Sequence, residues 1–211
     1  RALLEDAARL ASERGLWIQT HVAENVAEGE ETLRLHPYGA DYLDVYAEVG
    51  LLGPRTLLAH AIHLDDRGWD RVAAAGARVA HCPDSNFFLG SDCMRLGAAL
   101  RRGVPVGLGS DVAAGRTFDI RRAIAHAYDA SLVVGDRQGP EALFACATVG
   151  GADALGWGGV VGALAPGLEA DFAVIDVPVW LRGQADALAH VAFGADVGGV
   201  RATYVRGVRR F

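Results

Sequence analysis

Ile18-Gln19-Thr20-His21, Leu57-Leu58-Ala59-His60, Val79-Ala80-His81-Cys82-Pro83 and Gly107-Leu108-Gly109-Ser110-Asp111 are short runs that stop on an imidazole or a carboxylate. Glu24 follows His21 by three residues. After each run comes a segment that reads as helix or loop. Strand, polar terminus and helix in repetition is how a (β/α)8 barrel builds a site at the C-terminal face of its strands. A polar residue at that edge faces a solvated mouth and costs the packed interior little. One histidine at a strand end is ordinary, and His81 taken alone reads as a hydrogen-bonded loop residue. Four such ends on one face, with Glu24 beside His21 and Asp111 closing a glycine-rich strand, point instead to metal-assisted chemistry.

The remainder of the chain suits that reading. At 211 residues and 51% hydrophobic composition, it can bury a sizeable core. The net charge of −6, with no long basic cluster, argues against nucleic acid and against an anionic membrane surface. No apolar stretch approaches a spanning length, and no secretory leader opens the chain. The cysteines (Cys82, Cys93, Cys146) are odd in number and form no C-x-x-C pair. Reduced thiols in a cytoplasmic protein are expected, and a thiolate zinc knuckle is not. Cys82 is expected as a small buried apolar residue beneath its strand end, not as a nucleophile.

The pattern predicts helices over 2–14, from Asn25 to about 35, and over 41–49, 65–75, 94–102, 117–134, 140–148 and 152–155. Asn25 with Glu28 three residues on resembles a capped helix start. Strands are predicted over 16–21, 56–60, 78–82 and 104–111, with Pro83–Asp92 as a loop. Beyond about residue 155 the rhythm changes. A glycine-rich turn leads to a strand near 172–176, and Val200–Arg206 forms a hairpin with the tail. The fold class is therefore α/β: the C-terminal half of a (β/α)8 TIM barrel over residues 1–157, and the C-terminal strands of a small β-sandwich domain over residues 158–211. Four barrel strands and an opening already in mid-helix predict a portion of a longer enzyme. Alone, it is expected to expose sheet edges, associate and lack activity.

The segments T-H-V-A-E-N (20–25), L-L-A-H-A-I-H-L (57–64), A-H-C-P-D-S-N-F-F-L-G-S (80–91) and G-L-G-S-D-V-A-A-G (107–115) together resemble the amidohydrolase superfamily. Within it they look most like the guanine deaminase group. Tyr42-Leu43-Asp44-Val45-Tyr46, Gly50-Leu51-Leu52-Gly53 and the tail Gly162-Ala163-Leu164-Ala165-Pro166-Gly167 add to the likeness. Two departures stand out. The family's first-strand H-x-H pair, which supplies two metal ligands, is absent from these residues. Asp92 stands where the family usually has glycine, and is expected to reshape its loop.

The resemblance implies a metal-dependent aminohydrolase holding one divalent ion, Zn²⁺ in preference to Fe²⁺. His21 and Asp111 would be metal ligands, and Asp111 would also take the proton of the attacking water. Glu24 would carry protons to the purine ring nitrogen and to departing ammonia. His60 would polarise the water or the leaving group, or be a further ligand. His81 would lie in the pocket wall or just behind it, with Asn86 and Phe87 or Phe88 as purine contacts at the substrate, although such aromatics are more often loop anchors in the core. His63 reads as a loop residue, and His36, His126 and His190 as surface or helix positions. The expected reaction is hydrolysis of guanine to xanthine and ammonia, by a homodimer acting on a small-molecule purine. Another purine, pterin or triazine deaminase or chlorohydrolase of the superfamily would use the same residues. A barrel remnant without catalysis is the reading from a different class.

Overall fold

The computed structural model describes residues 1–181, 183, 186–196 and 198–211. Helix α1 (Ala2–Arg14) ends on Gly15, whose φ of 61° caps the helix in the left-handed region. Strand β1 (Ile18–Val22) leads into α2 (Val26–Leu35) and α3 (Tyr42–Ala47). Next come β2 (Thr56–His60), α4 (Asp66–Ala74), β3 (Arg78–His81), α5 (Pro83–Leu89) and α6 (Leu96–Arg101). Strand β4 (Val106–Leu108) is followed by α7 (Ile120–Val133), α8 (Pro140–Ala147) and α9 (Val149–Ala154).

These four strands form one sheet in the order β1-β2-β3-β4, every pair parallel. Parallel neighbours need long crossovers, and the helices between them supply these. Ile18 pairs with Thr56, Leu58 with Val79, and Val79 with Val106. Val22, Leu58, Val79 and Val106 are buried, and pack in one core with Trp69 and Val72 of α4, Leu96 of α6 and Ile124 of α7. Gly107 has a steric purpose. A Cβ built on it would lie 3.1 Å from the Gly151 Cα, so its bare backbone lets α9 seat on β4.

A second, antiparallel sheet follows: β5 (Phe172–Ile175), β6 (Val200–Val205) and β7 (Val208–Arg209). Phe172 and Tyr204 stack across it at 4.5 Å. Between β5 and β6, helix α10 (Ala187–Phe193) returns to pack on α7 and α8. Tyr128 of α7 meets Phe193 edge-on at 5.1 Å. Arg121 donates to the carbonyls of Gly198 (2.9 Å) and Ala195 (3.2 Å).

Two expectations need correction, and one helix was not foreseen. Pro83–Asp92 is not all loop, because α5 occupies Pro83–Leu89. Proline fits the first helical turn, where no N–H partner is required, and Gly90 at φ 71° supplies the stop. The fourth strand is shorter than 104–111: its ladder ends at Leu108, and Asp111 stands beyond it at φ 46°. Helix α10 was not anticipated, although Asp186 caps it through the N–H groups of Leu188 and Ala189. His190, expected as a surface or helix position, is buried on that helix, with its Nε2 3.2 Å from the Asp176 carbonyl oxygen.

Trp69 is fully buried among these strands and helices. Trp69→Ala is expected to cost about 3–5 kcal/mol of unfolding free energy through the transfer loss and the cavity left behind. Urea unfolding of the intact protein by circular dichroism measures it.

Candidate active site

The strand ends place their polar residues in one cluster. His21 and His60 sit on adjacent strands, one residue out of register, since Val22 pairs with His60. Their rings lie 5.1 Å apart, tilted by 45°. The His21 carbonyl oxygen accepts a hydrogen bond from the Tyr46 hydroxyl at 3.0 Å. Beyond β1 the chain turns through Ala23 at φ 48°, and Glu24 follows. The turn is fixed from α2. Asn25 caps that helix, Glu28 completes the capping box, and Glu28 Oε2 also accepts the Glu24 N–H at 2.8 Å. The Tyr42 hydroxyl donates to the other oxygen of Glu28 at 2.6 Å.

His60 is the hub. It is only 1% exposed, and its Nδ1 lies 2.9 Å from Asn86 Oδ1 on α5. A carbonyl oxygen can only accept, so Nδ1 carries the proton and Nε2 presents its lone pair while the ring is neutral. Nε2 faces two carboxylates, Glu24 Oε2 at 3.8 Å and Asp111 Oδ2 at 4.0 Å. The backbone is strained here, with His60 at φ 68° and Ala61 at φ 50°. The Ala61 N–H bonds the Val22 carbonyl at 3.0 Å, and the N–H groups of Ile62 and His63 bond that of Ala23. The end of β2 is thereby folded over the end of β1.

His81 lies fully buried behind this cluster, and neither ring nitrogen has a hydrogen-bond partner among the described residues. Burial, helped by nearby His60, pushes its pKa down to about 3, so the ring is neutral. Cys82 is buried, as expected. Burial together with the carboxylates of Asp111 and Glu24 pushes its thiol up to about 12, which makes it a poor nucleophile.

Asn86, expected at the substrate, is itself buried, and its carbonyl oxygen is committed to His60. Phe87 and Phe88 are not core anchors, since both are exposed on α5; Phe87 meets His126 edge-on at 6.3 Å. His63 is on the loop after β2, its Nε2 3.2 Å from the Ser91 carbonyl oxygen. Sequence reasoning missed Ser91, whose hydroxyl donates to Glu24 Oε1 at 3.4 Å across 67 positions of chain. It also missed Tyr42 beneath Glu28. No local pattern signals either contact.

Among the described residues, no three His, Cys, Asp or Glu side chains come together as a complete metal cage. The cluster fits a divalent cation as part of a site. It offers imidazole nitrogen and carboxylate oxygen, and His60 is oriented through its other nitrogen in the way metal-site histidines are held.

A parallel α/β sheet with imidazoles and carboxylates gathered at the C-terminal ends of its strands is thus the class of protein in hand. The amidohydrolase family matches residues 1–210, and the chain belongs to that family. It is 39% identical to the guanine deaminase of Escherichia coli (strain K12) over 160 residues, 76% of this chain and 36% of that protein. The solved E. coli guanine deaminase superposes with a TM-score of 0.90 at 33% identity, covering 99% of this chain and 51% of that one. An adenosine deaminase from Xanthomonas campestris, solved with bound zinc, superposes with a TM-score of 0.91 at 25% identity, covering 100% of this chain and 48% of that one. The chain therefore spans about half the length of the solved relatives it matches.

Neutral His81 has a consequence for acid stability. Its folded pKa of about 3 lies below the ordinary imidazole value, so between these limits the unfolded chain binds the extra proton. Stability contributed by neutral His81 is full above about pH 6.5 and falls by about 1.4 kcal/mol per unit as pH drops toward 3. Urea unfolding at pH 7.5 and 4.5 is expected to show a steeper acid loss in the native protein than in His81→Gln. Equal losses would contradict a buried neutral His81.

Proposed function

We propose that this site serves the hydrolytic deamination of guanine to xanthine and ammonia. The observation that carries the reading is His60. Asn86 holds it so that Nε2 faces Glu24 and Asp111 together at 3.8 and 4.0 Å. The likeness to guanine deaminases supports the choice of substrate.

His21 and Asp111 would hold one divalent cation, Zn²⁺ in preference to Fe²⁺, with the remaining ligands from an H-x-H pair outside these 211 residues. Such a cation lowers the pKa of a bound water toward neutrality. Asp111 accepts the proton of the attacking water, whose oxygen adds to the ring carbon bearing the exocyclic amine. Glu24 delivers a proton to the adjacent ring nitrogen, relays the remaining hydroxyl proton of the adduct to the departing amine, and regains its own proton from Asp111. The carbon–nitrogen bond breaks, and ammonia leaves. His60 donates from Nε2 when protonated and accepts there when neutral, which lets it orient the water or the leaving group. Ser91 steadies Glu24 through its hydroxyl. His81 and Asn86 support the site from behind, and Phe87 would contact the purine only from the α5 side of the mouth.

We place the barrel half at residues 1–157 and the small β-domain portion at 158–211, with α10 tying the second back to the first. A cytoplasmic homodimer is our reading of the assembly. The three free, buried cysteines support the compartment.

Two measurements on the intact protein test the roles. His21→Ala and Asp111→Ala are each expected to lose bound metal by elemental analysis; unchanged metal in both would sink the ligand assignment. Glu24→Gln keeps the shape of the side chain and cannot shuttle a proton. It should retain metal and lose about 10²–10⁴-fold in kcat for ammonia release from guanine. A loss under about threefold would remove Glu24 from proton transfer. Parallel assays with adenosine, a pterin and a triazine check the substrate.

A further inference from the structure

Asp84 is a buried carboxylate near the strand ends, and the mechanism above makes no use of it. Its side chain is 2% exposed, although it sits in the first turn of α5. It accepts the Arg116 backbone N–H at 2.6 Å on one oxygen and Arg116 Nε at 2.9 Å on the other, with Nη2 also in contact. His126 of α7 places Nδ1 3.2 Å from the same carboxylate. A carboxylate this buried is retained only where it is paired and hydrogen-bonded.

Its location gives the pairing a purpose. Arg116 lies five residues beyond Asp111, and the chain between them forms a closed turn. The Gly115 N–H bonds the Asp111 carbonyl at 2.6 Å. A Cβ on Gly115 would lie 1.7 Å from the Ser110 carbonyl oxygen, so the turn admits no side chain there. Its far end is the Arg116 N–H, which Asp84 holds. Two residues along α5 from Asp84 is Asn86, which holds His60.

We propose that Asp84 is a positioning residue: by clamping the Arg116 backbone it locks the Asp111 turn to α5 and so fixes Asp111 relative to His60. The link to turnover rests on the deamination reading above, whereas the clamp itself does not. Charge-assisted bonds to a backbone N–H and a guanidinium are strong and directional, and suit a fixed spacing between two loops.

The test uses Asp84→Asn and Arg116→Gln in the intact protein. Hydrogen exchange is followed over 110–116, with the β2 amides as an internal reference. D84N is expected to speed exchange over 110–116 by about tenfold or more while β2 is unchanged. R116Q keeps the backbone bond and should give a smaller increase. In D84N, kcat for guanine should fall about tenfold or more with KM within about threefold, as for an interaction that serves the transition state. Exchange over 110–116 equal to wild type, or raised equally in β2, would overturn the clamp. Faster exchange with unchanged kcat would overturn the positioning role. If D84N does not fold, Asp84→Ser decides: it is smaller and lacks the carboxylate that holds the Arg116 N–H, and a wild-type exchange rate over 110–116 there rejects the proposal. If the wild-type protein leaves guanine untouched, the deamination reading fails, and the exchange experiment still decides the clamp.

Discussion

One hydrogen bond organises the C-terminal edge of the parallel sheet: His60 Nδ1 to Asn86 Oδ1, 2.9 Å, between two buried side chains. It joins the end of β2 to α5, and so spans the third strand. It also assigns the tautomer of the neutral ring, because the amide oxygen cannot donate. With Nδ1 committed, the chemical freedom of His60 lies at Nε2, and Nε2 is the atom that faces Glu24 and Asp111. Break this bond and the ring can flip, exchange its tautomer, or withdraw from both carboxylates. The placement of the other groups would then lose its reference point.

The local backbone shows the cost of bringing these groups together. Ala23, His60, Ala61 and Asp111 all adopt positive φ, and all stand where a strand gives way to the loop bearing a site residue. Side chains other than glycine rarely occupy this region, and its strain persists only where surrounding contacts over-determine it. Here they do. Ala61, Ile62 and His63 are bonded back to the carbonyls of Val22 and Ala23, and Glu28 holds the Glu24 N–H. Glycine at any of these positions would relieve the strain and also loosen the angle at which the next side chain leaves the sheet.

What was legible in the sequence follows the range of the interaction involved. Strand β2 was read at its full extent, Thr56 to His60, because an apolar run bounded by turn residues is a local signal. The Asn25–Glu28 capping box was legible for the same reason: both partners lie within one turn. Pro83–Asp92 reads as loop in the sequence, whereas α5 runs from Pro83 to Leu89, with Pro83 in its first turn and Gly90 as its stop. The strand ends that converge could be named, but their mutual geometry could not. Asn86 meets His60 across 26 residues and Ser91 meets Glu24 across 67, and only the closed fold brings them together. Asp92 lies between these cases. Its φ of 84° is a glycine conformation, in keeping with the glycine its relatives were expected to carry, and its own carboxylate steadies the turn by accepting the Cys93 N–H at 2.8 Å.

Burial also sorts the charges of the site. Behind His60, the His81 ring is held neutral by its lack of solvent, and the Cys82 thiol is held protonated by burial and by the two carboxylates in front. Neither group can place a charge in the interior at neutral pH. The charge is therefore confined to the mouth, where Glu24 and Asp111 flank one imidazole nitrogen and the His21 ring stands exposed beside them. Two acids thus face the uncommitted nitrogen of His60 above a neutral floor of His81 and Cys82. A cation entering there finds uncharged His81 and Cys82 beneath it, and its own charge would govern the acidity of whatever water it carries. The apolar strand interiors thus do more than hold the sheet together: by keeping His81 and Cys82 uncharged, they leave the field at the mouth to the two carboxylates.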